Sequence, residues 1–234
     1  MKRNSSPPRR LIGATLLAVA AGSLAVATAL AVPVRGTLQV PREYTPPASA
    51  GSAFYWEEWN GVLDPQPRRI DVPRALAVVL LGTSDGERPG STVKLSGGTF
   101  LPSTVVVQAG STLRIQNTDG CAHELFADGL EDFSALQTAP GNARSIPLPS
   151  QVGHHVIRDR LYPHVVGHVH IVPNLLARAS VTSDGRYVFE DVPEGSYTLK
   201  VFYDDREVHS REIEVDGGLT IDPVSLDLSV PAAE

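Results

Sequence analysis

Residues 179–228 read "ASVTSDGRYVFEDVPEGSYTLKVFYDDREVHSREIEVDGGLTIDPVSLDL". Short runs rich in Val, Tyr, Phe and Ile are cut at close intervals by Asp-Gly, Pro-Glu-Gly and Gly-Gly. Successive side chains on a strand face opposite ways, so such runs present one apolar face each. "SDG" at Ser183–Gly185 predicts a tight turn, and "RYVFEDV" a strand with Tyr187 and Phe189 on one face. Beyond the first 34 residues, no apolar period of helical spacing persists for more than a turn or two. A chain patterned this way folds as an all-β sandwich protein.

The same reading extends upstream. "ALAVVLLG" at Ala75–Gly82 is a continuous apolar run and predicts a strand buried on both faces. "STVVVQAG" (103–110) and "STLRIQN" (111–117) predict two strands separated by a glycine turn. "HELFADG", "GHHVIRD" and "VVGHVHIV" follow as further strands, and "RGTLQV" at 35–40 as an earlier one. Leu130–Val152 shows little periodicity and predicts a long loop or short helix. "PREYTPPASAGSA" and "LDPQPRRIDVPR" are Pro-rich connections on either side of "FYWEEWNG".

A net charge of -6 argues against a nucleic-acid protein, since phosphate binding needs clustered Lys and Arg. The single cysteine, Cys121, excludes an internal disulfide framework and a multi-cysteine zinc site. The N-terminus carries Lys2, Arg3, Arg9 and Arg10, then an uncharged apolar run from Leu11 to Val34. As a helix that run would span roughly 35 Å, enough to cross a bilayer. Basic residues before it point the body of the chain outward, into the periplasm. Residues 11–33 are therefore expected to anchor the chain in the inner membrane. "ALA" at Ala29–Ala31 also offers a signal-peptidase site, and cleavage after Ala31 would release the body.

Two stretches resemble known families. "GRYVFEDVPEGSYTLKVFY" resembles the carboxypeptidase-regulatory-like, or transthyretin-like, β-sandwich. Gly185, Tyr187, Phe189, Val192, Pro193, Gly195, Tyr197, Leu199 and Val201 occupy its pattern. "FLPSTVVVQAGSTLRIQNTDGCAHELFADG" is similar to the first half of a cupredoxin, a Greek-key sandwich, through Phe100, Pro102, Val107, Gly110, Leu113, Ile115, Asn117, Asp119 and His123. The fused order resembles periplasmic proteins of the methylamine-utilization type. The N-terminal pattern and the resemblance together divide the chain into four segments. They are a basic tip with anchor or signal (1–34), an N-terminal strand with a Pro-rich aromatic segment (35–74), a cupredoxin-like domain (75–173) and a regulatory-like sandwich (174–230).

A type I copper centre needs two His, a Cys thiolate and often a Met. In the copper loop that the resemblance implies, "DRLYPHV", Pro163 sets the register. Asp159 then stands where the Cys belongs, Tyr162 where the His belongs and Val165 where the Met belongs. Only the first histidine, His123, remains. The expectation is a copper-less fold in which Asp159 or Tyr162 hydrogen-bonds to His123 or its loop, because buried polar groups need partners.

His168 and His170 have His-x-His strand spacing, roughly 7 Å apart, and with His123 they form a candidate Zn, Ni or Cu site, which Cys121 or His164 could also complete. The alternative makes them strand residues on a solvated or interface face, with Gly167, Val169 and Ile171 packed inward. Cys121 is expected to be a small buried cysteine rather than a nucleophile for His123, since no acidic partner is fixed by sequence. Tyr55, Trp56 and Trp59 could stack on sugar rings or cap the core from a short helix. There is no phosphate loop, nucleophile elbow or H-E-x-x-H. The sequence thus reads as a non-enzymatic, membrane-anchored periplasmic binding or scaffold protein with an envelope protein partner and no cofactor. A His-x-His metal-binding protein and a carbohydrate-binding envelope module are the alternatives.

Overall fold

The computed structural model describes residues 31–40, 43–44, 70–83 and 90–228. In chain order these form β1 (Val32–Gln39), β2 (Glu43–Tyr44), β3 (Ile70–Asp71), a helical turn α1 (Val72–Ala75) and β4 (Leu76–Leu81). Then come β5 (Ser91–Ser96), β6 (Thr99–Leu101), β7 (Thr104–Gln108), β8 (Thr112–Asn117) and β9 (His123–Ala127). β10 (Leu136–Thr138), β11 (Ala143–Pro147), β12 (Gly153–Asp159) and β13 (Val166–Val172) follow. The remainder is β14 (Leu175–Ala179), β15 (Arg186–Val192), β16 (Gly195–Tyr203), β17 (Arg206–Val215), β18 (Leu219–Thr220) and β19 (Val224–Ser225).

β5 to β13 make the first sandwich. One sheet runs β10-β9-β12-β13-β7 and the other β11-β8-β5-β6. Their inner faces bury Phe100, Val107, Leu113, Ile115, Leu125, Ile157, Val169 and Ile171. β7 and β8, adjacent in sequence, do not pair with each other. The turn between them carries the chain from one sheet to the other, as sandwich topology requires. The aperiodic stretch expected as a loop or short helix contains β10 and β11. Both are terminal strands of their sheets and bury only one residue each, so apolar alternation could not mark them.

The second sandwich is assembled from distant parts of the chain. One sheet runs β14-β4-β16-β17; in the other, β1 lies between β15 and β18 and also pairs with β19. Tyr187, Phe189, Val192, Tyr197, Leu199 and Val201 all enter its core. β4 is buried on both faces, as its apolar run predicts: Val78 and Leu80 face this core, and Val79 faces the seam between the sandwiches. The sequence boundary at Ala75 places β4 with the first sandwich. Its hydrogen bonds place it in the second, antiparallel to β14 and β16. The first sandwich is therefore an insertion between two paired strands, β4 and β14.

A second boundary also moves. Val32 pairs with Val192 and Val34 with Phe189, and Val34 is fully buried. Val32 and Pro33, the last residues of the expected 11–33 anchor, thus lie in a strand. Residues 11–30 lie outside the described residues, as do the aromatic segment at 54–61 and most of the Pro-rich connections. Among the described residues, no helix is long and apolar enough to cross a membrane.

The seam joins Val79, Val106, Val172, Leu175 and Phe202. Polar contacts frame it. Arg178 Nη1 donates to Val106 O at 3.1 Å, and Asp204 N donates to Thr104 Oγ1 at 2.8 Å.

Inside the first sandwich, Gly167 faces Phe100: a Cβ there would lie 2.6 Å from Phe100 Cδ2. Gly167→Ala is expected to destabilise the protein by about 1–3 kcal/mol through overpacking. Urea unfolding would check this.

Candidate functional site

Two polar clusters lie on opposite faces of the five-stranded sheet. The parity of β9 and β12 explains the first. Leu125, Ala127 and Ile157 point into the first core, so His123 and Asp159, which share their parity, point inward too.

His123 is 1% exposed and the Asp159 side chain 0%. His123 Nδ1 lies 2.6 Å from Asp159 Oδ2, which is the contact expected from the sequence. The other Asp159 oxygen accepts the amides of Glu124 (3.2 Å), Leu161 (2.8 Å) and Tyr162 (3.3 Å). One carboxylate thus ties β9 to the loop after β12. The Tyr162 ring packs against His123, with centroids 5.2 Å apart, and Val165 is wholly buried in the core.

The other ring nitrogen, Nε2, is 3.1 Å from Asp119 Oδ2. Asp119 also accepts the amides of Gly97 and Gly98. Burial works against its charge, but the Gly98 and Gly97 amides and His123 outweigh this and lower its pKa. Asn117, fully buried, holds the turn: its Nδ2 donates to Cys121 O and Thr138 O, both at 2.9 Å. The role of Asp119 on His123 was not legible in sequence. Its place in the N-x-D pattern marked the position without showing what it touches.

Cys121 is exposed rather than buried, because it sits in the turn before β9. Its Sγ lies 3.6 Å from His123 Nε2. The neighbouring Cys121 thiol raises the Tyr162 pKa. The row Cys121–His123–Asp159 has the order of nucleophile, base and orienter. Asp119, however, sits closer to Nε2 than the sulfur does, so the face of His123 needed as base is already engaged.

The second cluster faces outward, toward the second sandwich. Val169 and Ile171 pack into the first core, so His168 and His170 project from the opposite face. The structure therefore separates His123 from His168 and His170, and the three-histidine site expected from the sequence does not assemble. In its place His154, on β12, joins the pair. It lies directly across from His170 in the register, and His168 is on the adjoining diagonal. His154 Nε2 is 3.1 Å from His168 Nδ1, and these rings stack with an interplanar angle of 11°. The His154 and His170 centroids are 4.7 Å apart. His170 Nε2 donates to Asp204 O at 2.7 Å across the seam. The sequence offered "GHHVIRD" as a strand, but only the pairing register selects His154 as the third ring.

Burial lowers the pKa of His168 and of His170 to about 4 each, and that of His154 in the same direction. Asp205 opposes the fall at all three rings, Glu207 opposes it at His170, and Arg158 adds to it at His168.

Comparison with protein-family models gives no match, and comparison with curated proteins gives none either. Among solved structures, the chain is similar to amicyanin from Paracoccus versutus at 22% identity and a TM-score of 0.33, over 38% of this chain and 86% of that one. It is also similar to a purple cupredoxin from Nitrosopumilus maritimus at 14% identity and a TM-score of 0.30, over 35% and 99% of the two chains. A copper-containing nitrite reductase from Thermus scotoductus matches at 18% identity and a TM-score of 0.32, over 39% of this chain and 24% of that one.

Two predictions follow from the clusters. Asp159→Ala leaves His123 and three amides without their acceptor and is expected to cost roughly 3–5 kcal/mol. Asp159→Asn keeps the amide acceptor and should cost less; chemical denaturation of the two variants checks the order. The second concerns pH in chelator-treated protein. Unfolded His titrates near 6.5 and folded His168 and His170 near 4, so between these values the unfolded chain binds more protons. Their contribution is fully present above pH 6.5 and falls as pH drops toward 4. Urea midpoints at pH 7 and pH 5 should differ less in His168→Gln/His170→Gln than in the native chain.

Proposed function

We propose that this is a non-enzymatic binding or scaffold protein of the cell envelope. Its first sandwich is cupredoxin-like, and a buried polar network stands in place of its copper centre. The observation that carries this reading is the 2.6 Å contact between His123 Nδ1 and Asp159. In the register implied by the copper loop, Asp159 holds the thiolate position, and here a carboxylate takes up the histidine nitrogen and three amides. A carboxylate, a phenol and an isopropyl group cannot reproduce the thiolate, imidazole and thioether of a blue-copper site. The other two positions are used structurally as well, since Tyr162 packs on His123 and Val165 fills the core.

The second sandwich supports the regulatory-like reading, because its pattern residues converge in one core. Such modules serve as scaffolds in proteins of many functions. With β1 starting at Val32, residues 11–31 as a helix would span roughly 30 Å, sufficient for an inner-membrane anchor with the body in the periplasm. Cleavage after Ala31 would leave β1 intact and the body free. The partner in this reading is another envelope protein.

Two experiments test the reading. Protease added to spheroplasts should digest the body of the chain, while intact cells protect it. The variant Asp159→Cys/Tyr162→His/Val165→Met, made with Cys121→Ser, should develop an intense blue thiolate-to-copper band on adding Cu2+. The native chain should not. A blue native protein, or a folded variant that stays colourless, would overturn the cupredoxin reading.

A further inference from the structure

We propose that His154, His168 and His170 form a binding site for one divalent late first-row cation, Zn2+, Ni2+ or Cu2+, on the outer face of the first sandwich. The site lies where the turn between β16 and β17 meets that face.

The donor chemistry fits. Imidazole nitrogen is the common ligand of these three ions. Nitrogens around a tetrahedral Zn2+, at about 2.0–2.1 Å from it, stand about 3.3 Å from one another. His154 Nε2 and His168 Nδ1 are already 3.1 Å apart. In the metal-free protein that spacing is an N–H donating to a ring nitrogen. A cation replaces the proton with little change in separation, and small rotations of the two rings turn both lone pairs toward it. Among the described residues, no three such groups are gathered around one point beforehand.

The third ring is prepared differently. His170 donates its Nε2 proton to Asp204 O at 2.7 Å, which leaves Nδ1 as the lone-pair nitrogen. Metal-ligating histidines typically fix their tautomer through such a bond to a backbone carbonyl. The carbonyl is itself held in place. Asp204 takes a φ of 49° at the turn, and its amide donates to Thr104 Oγ1 at 2.8 Å. His170 also packs on Phe202, with centroids 4.5 Å apart, so one side of the ring is walled by the seam.

The surrounding charge favours a cation. Asp205 acts on all three rings and Glu207 on His170, both from the second sandwich, while Arg158 on β12 opposes them at His168. Water completes the coordination. None of the three rings belongs to the His123–Asp159 network, so the inference and the functional reading above fail independently.

The test is calorimetric titration of Zn2+ and Ni2+ into the chelator-treated full chain, followed by thermal melting with and without the ion. The native chain should bind one ion and melt at a higher temperature with it, because a ligand of the folded state stabilises that state. His154→Ala and His168→Ala should each weaken binding at least about tenfold and remove the thermal shift. His155→Ala, His164→Ala and Cys121→Ser should leave both unchanged. A readout on the native chain needs no variant that must fold. Substoichiometric Cu2+ should broaden the imidazole proton resonances of His154, His168 and His170 before those of the other histidines. Absence of binding at millimolar metal would overturn the proposal. So would binding that survives in His154→Ala/His168→Ala, or that is lost in Cys121→Ser.

Discussion

The structure depends on β4. This six-residue strand has no solvent face: one side lies in the core of the second sandwich and the other in the seam against the first. Its neighbours, β14 and β16, arrive only after the whole first sandwich has been traversed. Pairing β4 with β14 therefore closes the second sandwich and brings the two ends of the inserted sandwich together. The orientation of the two bodies follows from that closure. The apolar seam and the hydrogen bonds from Arg178 and Asp204 then hold them side by side.

The two faces of one sheet carry different polar chemistry, and packing explains why. Inward residues of β9 and β12 meet a dry core, where a histidine persists only if its nitrogens are engaged. His123 meets this condition through Asp159 and Asp119. Outward residues of β12 and β13 meet the seam, which is apolar at Phe202 and Val106 and polar toward the turn at Asp204. Histidine suits such a border, having an apolar ring edge and two adaptable nitrogens.

Much of the local structure was legible in the sequence. The alternation in "RYVFEDV" and the parity of His168 and His170 depend only on the period of a strand, and both place side chains correctly. The contact between Asp159 and His123 was also legible, because a polar group at a position expected to be buried must be partnered. Pairing over long separations was not. Nothing in "LAVVLL" says which sheet it joins, since a doubly buried strand looks alike in either. β10 and β11 escaped because they are terminal strands with little apolar face. His154 escaped because its partner is chosen by a register that only the assembled sheet defines.

The insertion also sets an order of folding. β5 to β13 are contiguous, and their partners all lie within residues 91–172. The inserted sandwich can therefore form while the chain is still being made or exported. β1 and β4 cannot pair until residues beyond 175 have emerged, and until then "LAVVLL" is an unpaired, uncharged apolar segment. Such segments associate with one another when exposed. The late closure of the outer sandwich around β4 is therefore the event that removes this apolar segment from exposure.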